Sequence, residues 1–299
     1  MKQLPVYVIV TPARNEAEFI ERTLRCVVAQ SCLPAKWVIV DDGSTDQTAE
    51  IVRRYADQFD WIHLISRGQR SGRDFAGKVH AFNAGMEIAS EAKPQVIVNL
   101  DADVEIVADH FEYLLSRSLE AETLGVWGPA FREGDMQYDY RFSNIENVWG
   151  GCQMFRSECF QSIGGYRPMK GGGIDHLAVV MARMHGWKTR TFPERVCNHL
   201  RVMGTAQRGK VQARFKMGMK DHSLGNHPLW EVSRVAYQMT KAPLLVGGAA
   251  LGAGYLWSAL SRGKSQLDPS VRKFIHKEQM SRLKRALPGG RILRQEIHE

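Results

Sequence analysis

The sequence predicts an α/β fold in which a mostly parallel sheet is flanked by helices. Short apolar runs rich in β-branched residues alternate with segments of helical periodicity over residues 6–100, and the order strand, helix, strand is typical of a parallel sheet. Several of these runs end directly in acidic residues. Because ligands bind at the carboxyl ends of the strands in an open α/β sheet, these acids are predicted to line the mouth of a site.

The elements follow in chain order. Predicted strands cover residues 6–10, 37–40, 61–65, 96–100 and 187–192. Predicted helices cover residues 19–28, 47–55, 79–89, 109–119 and 177–185. Residues 67–78 are predicted to form a loop rich in Gly and Arg. Residues 149–153 (WGGCQ) are predicted to form a tight loop, whose glycines let the backbone approach a ligand closely.

The most informative acids are Asp101 and Asp103, which directly follow the strand at residues 96–100. Two carboxylates one residue apart can hold a hard divalent cation and leave positions open for phosphate oxygens, which suits Mg²⁺ or Mn²⁺. Taken alone the pattern is weak, since Asp103 could equally be the cap of a following helix.

Two further acidic sites strengthen the pattern. Asp41 and Asp42 follow the second strand, and Asp175 follows a run of glycines. A metal-bound pyrophosphate needs a cation that is held by protein side chains. A nucleoside needs a hydrogen-bond acceptor, and an attacking hydroxyl group needs a general base. The aspartate pair, Asp42 and Asp175 could fill these roles in that order. Arg73 and Lys78 of the basic loop would offset phosphate charge.

With its motifs in this order, the chain resembles the inverting family 2 glycosyltransferases, which have the GT-A fold, a Rossmann-like sheet of the predicted kind. The resemblance rests on residues 11–16 (TPARNE), 40–46 (VDDGSTD), 77–85 (GKVHAFNAG) and 101–103 (DAD), followed by the Gly-Gly loop and the region of Asp175. It covers roughly the first 200 residues. It is specific for fold and reaction type, and it does not identify the sugar.

The resemblance implies a nucleotide-sugar site on the first half of the sheet. Residues implied to bind the donor are Thr11, Pro12, Ala13, Glu16, Asp42, Arg73, Lys78, Asp101 and Ala102. Of these, Asp42 would contact the base or ribose, and Asp101 would contact the ribose or a metal-bound water. Lys78 and Arg73 would lie near the diphosphate.

The resemblance also implies a metal site and an acceptor side. Asp103 would ligate Mg²⁺ or Mn²⁺ directly. His199 is similar to an extra metal ligand that some members supply, and an ordinary structural histidine fits its position equally well. The residues implied on the acceptor side are Gly150, Gly151 and Cys152.

Asp175 matches the residue that would act as catalytic base. It would take the proton of the acceptor hydroxyl during in-line attack on the anomeric carbon, and a single displacement of this kind inverts the configuration. The chain departs from the family here, because Ile174 stands where a Glu is common. A supporting hydrogen bond is then lost or comes from another group such as His176.

The predicted function is metal-dependent transfer of a sugar from a UDP- or GDP-sugar to a hydroxyl of a lipid-linked or polysaccharide acceptor. One alternative is a non-catalytic nucleotide-sugar-binding or scaffold protein on the same fold, which the departure at Ile174 motivates. A nucleotidyltransferase that makes the activated sugar is a second alternative. It is disfavoured because no Gly-rich triphosphate loop lies near the first strand.

The composition of the chain narrows the cellular compartment and the binding partners that are expected. Five scattered cysteines form no disulfide framework or Cys-X-X-Cys pair, so a reducing compartment is expected. The N-terminus shows no signal-peptide pattern. Residues 200–299 carry 18 Lys and Arg against 6 Asp and Glu, whereas residues 1–199 carry 22 against 26. A basic tail suggests an anionic partner, and without a nucleic-acid motif a membrane surface is favoured over nucleic acid.

Four segments are predicted along the chain. Residues 1–205 form the catalytic domain, with a nucleotide-sugar half at about 1–104 and an acceptor half at about 105–205. Residues 206–240 connect it to an apolar segment at 241–262, which could span a membrane, lie in its interface or be buried. Residues 263–299 form a basic amphipathic tail, typical of membrane-surface helices. The expected location is the cytoplasm, at the inner face of the cell membrane.

Overall fold

A computed structural model of the chain describes residues 3–68, 75–134, 136–137, 144–169, 172–201, 209–262 and 267–286. The chain divides into two compact units, Met1–Met203 and Gly204–Glu299. Arg73 and the last part of the predicted basic tail, from residue 287 onward, lie outside the described residues.

The first unit alternates strands and helices, as its sequence predicts. Its strands are β1 Tyr7–Ala13, β2 Lys36–Asp41, β3 Ile62–Ser66, β4 Val96–Leu100, β5 Val104–Glu105, β6 Leu124–Glu133, β7 Met136–Gln137, β8 Cys152–Arg156 and β9 Lys188–His199. Its helices are α1 Ile20–Val28, α2 Thr48–Ala56, α3 Phe75–Ala89, α4 His110–Glu120, α5 Ser157–Ser162 and α6 Ile174–Met184. The predicted α/β class is therefore confirmed.

Within the described residues, nine strands form one sheet in the order β3-β2-β1-β4-β8-β6-β9-β5, with β7 paired to β6. Neighbouring strands among β3, β2, β1 and β4 are parallel. Strand β8 runs antiparallel to both β4 and β6. β9 is parallel to β6, and its end pairs antiparallel with β5. The predicted loop over residues 149–153 was wrong for its last two residues. Cys152 and Gln153 begin β8, because they pair with the last residues of β4.

The central parallel strands β1, β2 and β4 are buried on both faces, which explains their unbroken apolar runs. Residues 8–10 of β1 and 38–40 of β2 have no exposed surface. Helix α3 packs on these two strands. Gly85 permits this approach, because a side chain there would collide with Val10. The packing fixes the direction of α3 and holds its first turn, which carries Lys78, at the end of the sheet where the strands finish.

The second unit is helical. Its helices are α7 Lys210–Ser223, α8 Pro228–Met239, α9 Val246–Arg262 and α10 Pro269–Ala286. The apolar segment predicted at 241–262 forms α9 and the turn before it. Asp268 accepts a hydrogen bond from the backbone N–H of Ser270 at 2.8 Å, at the start of α10. Among the described helices, none combines the length and the apolar character that crossing a membrane requires.

Two buried acids face each other inside this helical unit. Arg234 donates to Asp221 at 3.0 Å, and Asn226 donates to Glu231 at 3.5 Å. Burial raises the pKa of Asp221 to about 6 although Arg234 opposes the shift. Burial, followed by the charge of Asp221, raises the pKa of Glu231 to about 7. Both acids therefore keep their protons to a higher pH in the folded unit than in the unfolded chain.

We expect Glu231→Gln to stabilise the helical unit at pH 8 and to have a much smaller effect at pH 5. A folded pKa raised from 4.5 to about 7 means that stability falls as the pH rises through this window, because the folded unit holds the proton more tightly. At pH 8 the gain should be about 1–3 kcal/mol, measured as hydrogen-exchange protection of the α8 amides. An equal effect at both pH values would contradict the assignment.

Candidate active site

The predicted site residues lie where parallel strands end. β1, β2 and β4 finish at the same edge of the sheet, with Ala13 opposite Asp41 across the first pair. The next residues along β2 and β4 are Asp42 and Asp101. The parallel sheet thus brings the first two predicted motifs and the aspartate pair to one edge, as the sequence predicts.

Lys78 connects α3 to the aspartate pair. Its ammonium group donates to the Asp101 carboxylate at 2.5 Å. Burial alone would lower the pKa of Lys78, but the carboxylates of Asp101, Asp175 and Asp103 outweigh it and raise that pKa. For Asp101 the balance is reversed, because burial and the charge of Asp103 raise its pKa against the effect of Lys78. One lysine is therefore within electrostatic reach of all three predicted functional acids.

Asp103 lies against His199 and Arg201. The pairing of β5 with the end of β9 sets Val104 opposite His199, so Asp103 adjoins it. The Nε2 atom of His199 is 3.3 Å from Asp103 Oδ2, and Arg201 Nε donates to the same oxygen at 3.3 Å. Burial would raise the pKa of Asp103, but these two cations hold it below its usual value.

His199 is buried among acids. Burial would lower its pKa, but Asp103, Asp101 and Glu133 outweigh this effect and raise it. Glu133 lies opposite His199 in the β6–β9 pair, with 3.9 Å between its carboxylate and Nδ1. Within the described residues, the buried Nδ1 atom has no hydrogen-bond partner. The ring of Trp149 packs edge-on against this imidazole, with centroids 5.4 Å apart.

The loops after β1 and β2 hold each other in place. Asn15 has a φ of 55° and accepts a hydrogen bond from the N–H of Thr45 at 2.8 Å. Its own N–H donates to the Ser44 hydroxyl at 3.0 Å. Asp42 accepts from Arg67 at 2.9 Å, and Glu16 accepts from Arg201 at 2.5 Å. Both acids are thereby compensated by arginines at this edge.

Asp175 lies beside the Gly-Gly loop. Gly172 and Gly173 have φ values of 77° and 88°, conformations that favour glycine, and helix α6 begins immediately after them. Asp175 therefore occupies the first turn of α6 rather than a loop. A side chain on Gly150 would lie 2.5 Å from Asp175 Cβ and 2.7 Å from Oδ2. Gly151 likewise has no room for a side chain, because the ring of Trp149 fills that space.

The remaining predicted site residues differ in their accessibility. Thr11 is fully buried and accepts a hydrogen bond from the indole of Trp37 at 2.9 Å, so it lies beneath the edge. Pro12 is partly exposed, whereas Ala13 and Ala102 are buried. Cys152 is fully buried, and its sulfur lies 3.8 Å from His110 Nε2. Only the backbone of Cys152 could therefore face an acceptor.

Several groups at the site were not predicted from the sequence. Arg67, Glu133 and Arg201 contact the predicted acids or His199 from distant positions, and no local motif marks them. A buried cluster of His110, Cys152 and Cys197 was also missed. In that cluster the Cys197 thiol donates to the carbonyl oxygen of Ala130 at 3.6 Å, so it has a protein partner. We interpret the cluster as internal packing beneath the site.

The donor set at Asp103 and His199 fits a divalent cation. One oxygen of Asp103 and the Nε2 atom of His199, 3.3 Å apart, can share one ion. The unpaired Nδ1 atom lies on the other side of the ring, 3.9 Å from the Glu133 carboxylate. Carboxylate oxygens suit Mg²⁺ or Mn²⁺, and imidazole is a ligand of transition metals, so the pair favours Mn²⁺. Arg201 and His199 supply the positive charge at Asp103 in the structure described here.

Comparison with known proteins identifies related chains. A family model described as glycosyl transferase family 2 matches residues 8–176. The probable glycosyltransferase YdaM of Bacillus subtilis is 29% identical over 153 residues, covering 50% of this chain and 35% of YdaM. A poly-beta-1,6-N-acetyl-D-glucosamine synthase of Staphylococcus aureus is 32% identical over 111 residues, covering 37% of this chain and 25% of that protein. The matched stretch thus spans about a third or less of each of these two relatives.

Solved structures resemble the whole chain more closely than sequence identity suggests. The mannosyltransferase PcManGT from Pyrobaculum calidifontis, in complex with GDP-Man and Mn²⁺, has a TM-score of 0.58 and 22% identity. The alignment covers 96% of this chain and 77% of PcManGT. S. aureus TarS 1-349 in complex with UDP-GlcNAc has a TM-score of 0.53 and 13% identity, over 95% of this chain and 82% of that one. At these identities the likeness shows the fold alone, and it confirms the predicted GT-A architecture.

Proposed function

The chain belongs to glycosyl transferase family 2, and we propose that it is a metal-dependent, inverting glycosyltransferase. It moves a sugar from a nucleoside-diphosphate sugar to a hydroxyl of a lipid-linked or polysaccharide acceptor. The observation that carries this proposal is the position of Lys78 within electrostatic reach of Asp101, Asp103 and Asp175. Asp101 and Asp103 follow β4, whereas Asp175 lies in the first turn of α6. Together with Lys78 they would hold a diphosphate and a cation and supply the base.

The donor half of the proposal rests on the edge formed by β1, β2 and β4. Asp42 and Glu16 offer carboxylates to the ribose hydroxyls or to N–H groups of the base, since they lie in the loops after β2 and β1. Lys78, paired with Asp101, would turn its ammonium group to the diphosphate. Complexes of PcManGT with GDP-Man and of TarS with UDP-GlcNAc support a nucleotide-sugar donor on this fold. Arg73 stays a predicted diphosphate contact outside the described residues.

The proposed metal ligands are Asp103 and His199, with Asp101 near them. When bound there, a cation supplies positive charge to the leaving diphosphate. Arg201 and Lys78 supply charge of the same sign from the protein, in a partly buried place where it acts strongly. The Mn²⁺ in the PcManGT complex and in a GalNAc-T7 complex with UDP supports this choice of metal.

The acceptor half of the proposal rests on Asp175. Its carboxylate takes the proton of the acceptor hydroxyl as that oxygen attacks the anomeric carbon, and the bond to the diphosphate oxygen breaks. The nucleoside diphosphate leaves with the bonding electrons, and the sugar is transferred with inversion. Gly150 presents its backbone beside this carboxylate. Ile174 is buried, so its side chain packs in the fold and offers no hydrogen bond to the base.

We expect Gly150→Ala to slow transfer without weakening donor binding. The added methyl group would lie 2.5 Å from Asp175 Cβ, so the base or the loop must shift. Misplacement of a reacting group by about 1 Å costs on the order of 10²-fold in rate. The measurement is kcat for sugar transfer alongside the Kd of the nucleoside diphosphate. Gly209→Ala is the matched control, because no atom of the described residues lies within 4 Å of a side chain there.

Product formation tests the proposal directly. The purified chain is incubated with UDP- and GDP-sugars in the presence of Mn²⁺ and membrane lipid extract or glycan acceptors, and nucleoside diphosphate and glycosylated product are measured. Transfer from one donor, with an inverted anomeric configuration by NMR, is the expected result. Tight donor binding with no turnover on any acceptor would favour the scaffold alternative that the departure at Ile174 motivates.

A further inference from the structure

Helix α9 turns an apolar face outward. Six of its residues share one side of the helix and are all exposed: Val246, Ala249, Ala253, Leu256, Trp257 and Leu260. They recur at intervals of three, four or seven residues, or as neighbours, which places them along one stripe. The three largest side chains near its end, Leu256, Trp257 and Leu260, are between 59% and 86% exposed.

The opposite side of α9 packs inside the unit through glycines, Ser258 and two larger side chains, Leu251 and Tyr255. Gly254 abuts the backbone of Phe215 in α7, and Gly248 abuts the carbonyl oxygen of Val235 in α8. Ser258 is fully buried and bonded to His222 Nδ1 at 3.0 Å. Helix α9 therefore carries apolar residues on both sides, and those on its outward side are left exposed in the described unit.

Helix α8 and the turn before α9 also carry exposed apolar residues. In α8, Leu229, Val232 and Tyr237 are between 58% and 64% exposed. In the turn, Leu244 and Leu245 are each 67% exposed. We call the outward residues of α8, the turn and α9 the apolar face. An exposed surface of this kind on a folded unit indicates an interaction site.

Helix α10, which the sequence predicted to lie on a membrane, does not expose an apolar face. Val271 and Ile275 are each 4% exposed and pack inside the unit. Arg272, Lys273 and Lys277 are exposed. The basic residues of the predicted tail helix thus face water, while the apolar surface of the unit is carried by α8 and α9.

We propose that the apolar face docks in the plane of an anionic lipid bilayer. An anionic bilayer is favoured as the partner because its charge is complementary to that of residues 200–299, which carry 18 basic residues against 6 acidic ones. Trp257, Tyr237 and Lys241 suit the boundary between headgroups and acyl chains, where aromatic rings and long cations are both stable. Since the other side of α9 is packed on α7 and α8, only its outward side meets lipid.

The docking surface is separate from the donor site and does not depend on the transfer reaction. All of its residues belong to the second unit, whereas every proposed donor and metal ligand belongs to the first. A chain without transferase activity would still dock. The two proposals can therefore fail independently.

Vesicle flotation of the full chain tests the docking. We compare vesicles of equal parts phosphatidylglycerol and phosphatidylcholine with vesicles of phosphatidylcholine alone. The chain should float with the anionic vesicles, and the variant L256Q/L260Q should bind them at least about tenfold more weakly. L33Q/V107Q is the matched control, because Leu33 and Val107 are similarly exposed in the first unit. Quenching by brominated lipid should fall in W257F if Trp257 inserts.

Three results would overturn the proposal. The first is flotation of L256Q/L260Q equal to that of the parent chain, with both chains folded by circular dichroism. The second is equal binding to vesicles with and without phosphatidylglycerol. The third is a parent chain that does not float and forms a dimer which L256Q/L260Q dissociates, since the apolar face would then be covered by a second copy.

Discussion

Replacing Asp175 by Asn should lower kcat for sugar transfer by about 10²–10⁴-fold while leaving the Kd of the donor unchanged. The amide keeps the size of the side chain beside Gly150 but cannot accept the proton of the acceptor hydroxyl. Binding is spared because the proposed donor contacts come from the strand ends and α3, whereas Asp175, in the first turn of α6, is assigned to the acceptor hydroxyl. The measurement is steady-state transfer together with calorimetric titration of the nucleoside diphosphate.

Asp109→Asn is the matched control for this substitution. Asp109 is an exposed carboxylate that pairs with Arg195, so the same change of charge occurs outside the site. Transfer by D109N should equal that of the parent chain. Transfer by D175N at the parent rate would show that the proton leaves by another route, and the assignment of the base would be wrong.

Replacing Asp103 by Asn should remove the dependence of donor binding on Mn²⁺ and lower kcat/KM by about 10²–10³-fold. The substitution removes the negative charge of Asp103, whose carboxylate contacts both His199 and Arg201. Donor binding with and without Mn²⁺ should then become equal and weak. The measurement is calorimetric titration of the nucleoside diphosphate at several Mn²⁺ concentrations.

His199→Gln separates a metal role from a structural one. A direct or supporting ligand should cost about 10–100-fold in Mn²⁺ affinity when it is replaced. A purely structural histidine should lower the melting temperature and leave the Mn²⁺ dependence intact. For Asp103, retention of the parent chain's Mn²⁺ dependence in D103N would contradict the proposed metal site.

Local patterns were sufficient to predict the edge of the sheet. The strands at 6–10, 37–40 and 96–100 are apolar and end in acids, and parallel pairing alone then brings Asp42 and Asp101 to one side. Lys78 could be predicted near them because it lies in a motif of fixed spacing. The site could be outlined because its donor half is built from sequence-adjacent strand and loop residues.

Contacts made across long sequence separations could not be predicted. Arg201 reaches Glu16 across 185 residues, and its role depends on where β9 ends. The sequence predicts a loop at Cys152, because the glycines before it are typical of turns. In the structure, β8 begins there and pairs antiparallel with β4. The orientation of α9 could not be predicted either, since a run of apolar residues does not indicate which side of the helix packs and which stays exposed.

Thermal unfolding of the full chain with a panel of nucleoside diphosphates, each with and without Mn²⁺, tests the central claim most directly. The account predicts that one nucleotide stabilises the chain only when Mn²⁺ is present, by about 2.7 kcal/mol at 100 times its Kd. The base of that nucleotide would then identify the donor class. No stabilisation by any nucleotide, or equal stabilisation without the metal, would contradict a metal-dependent donor site at Asp101, Asp103 and His199.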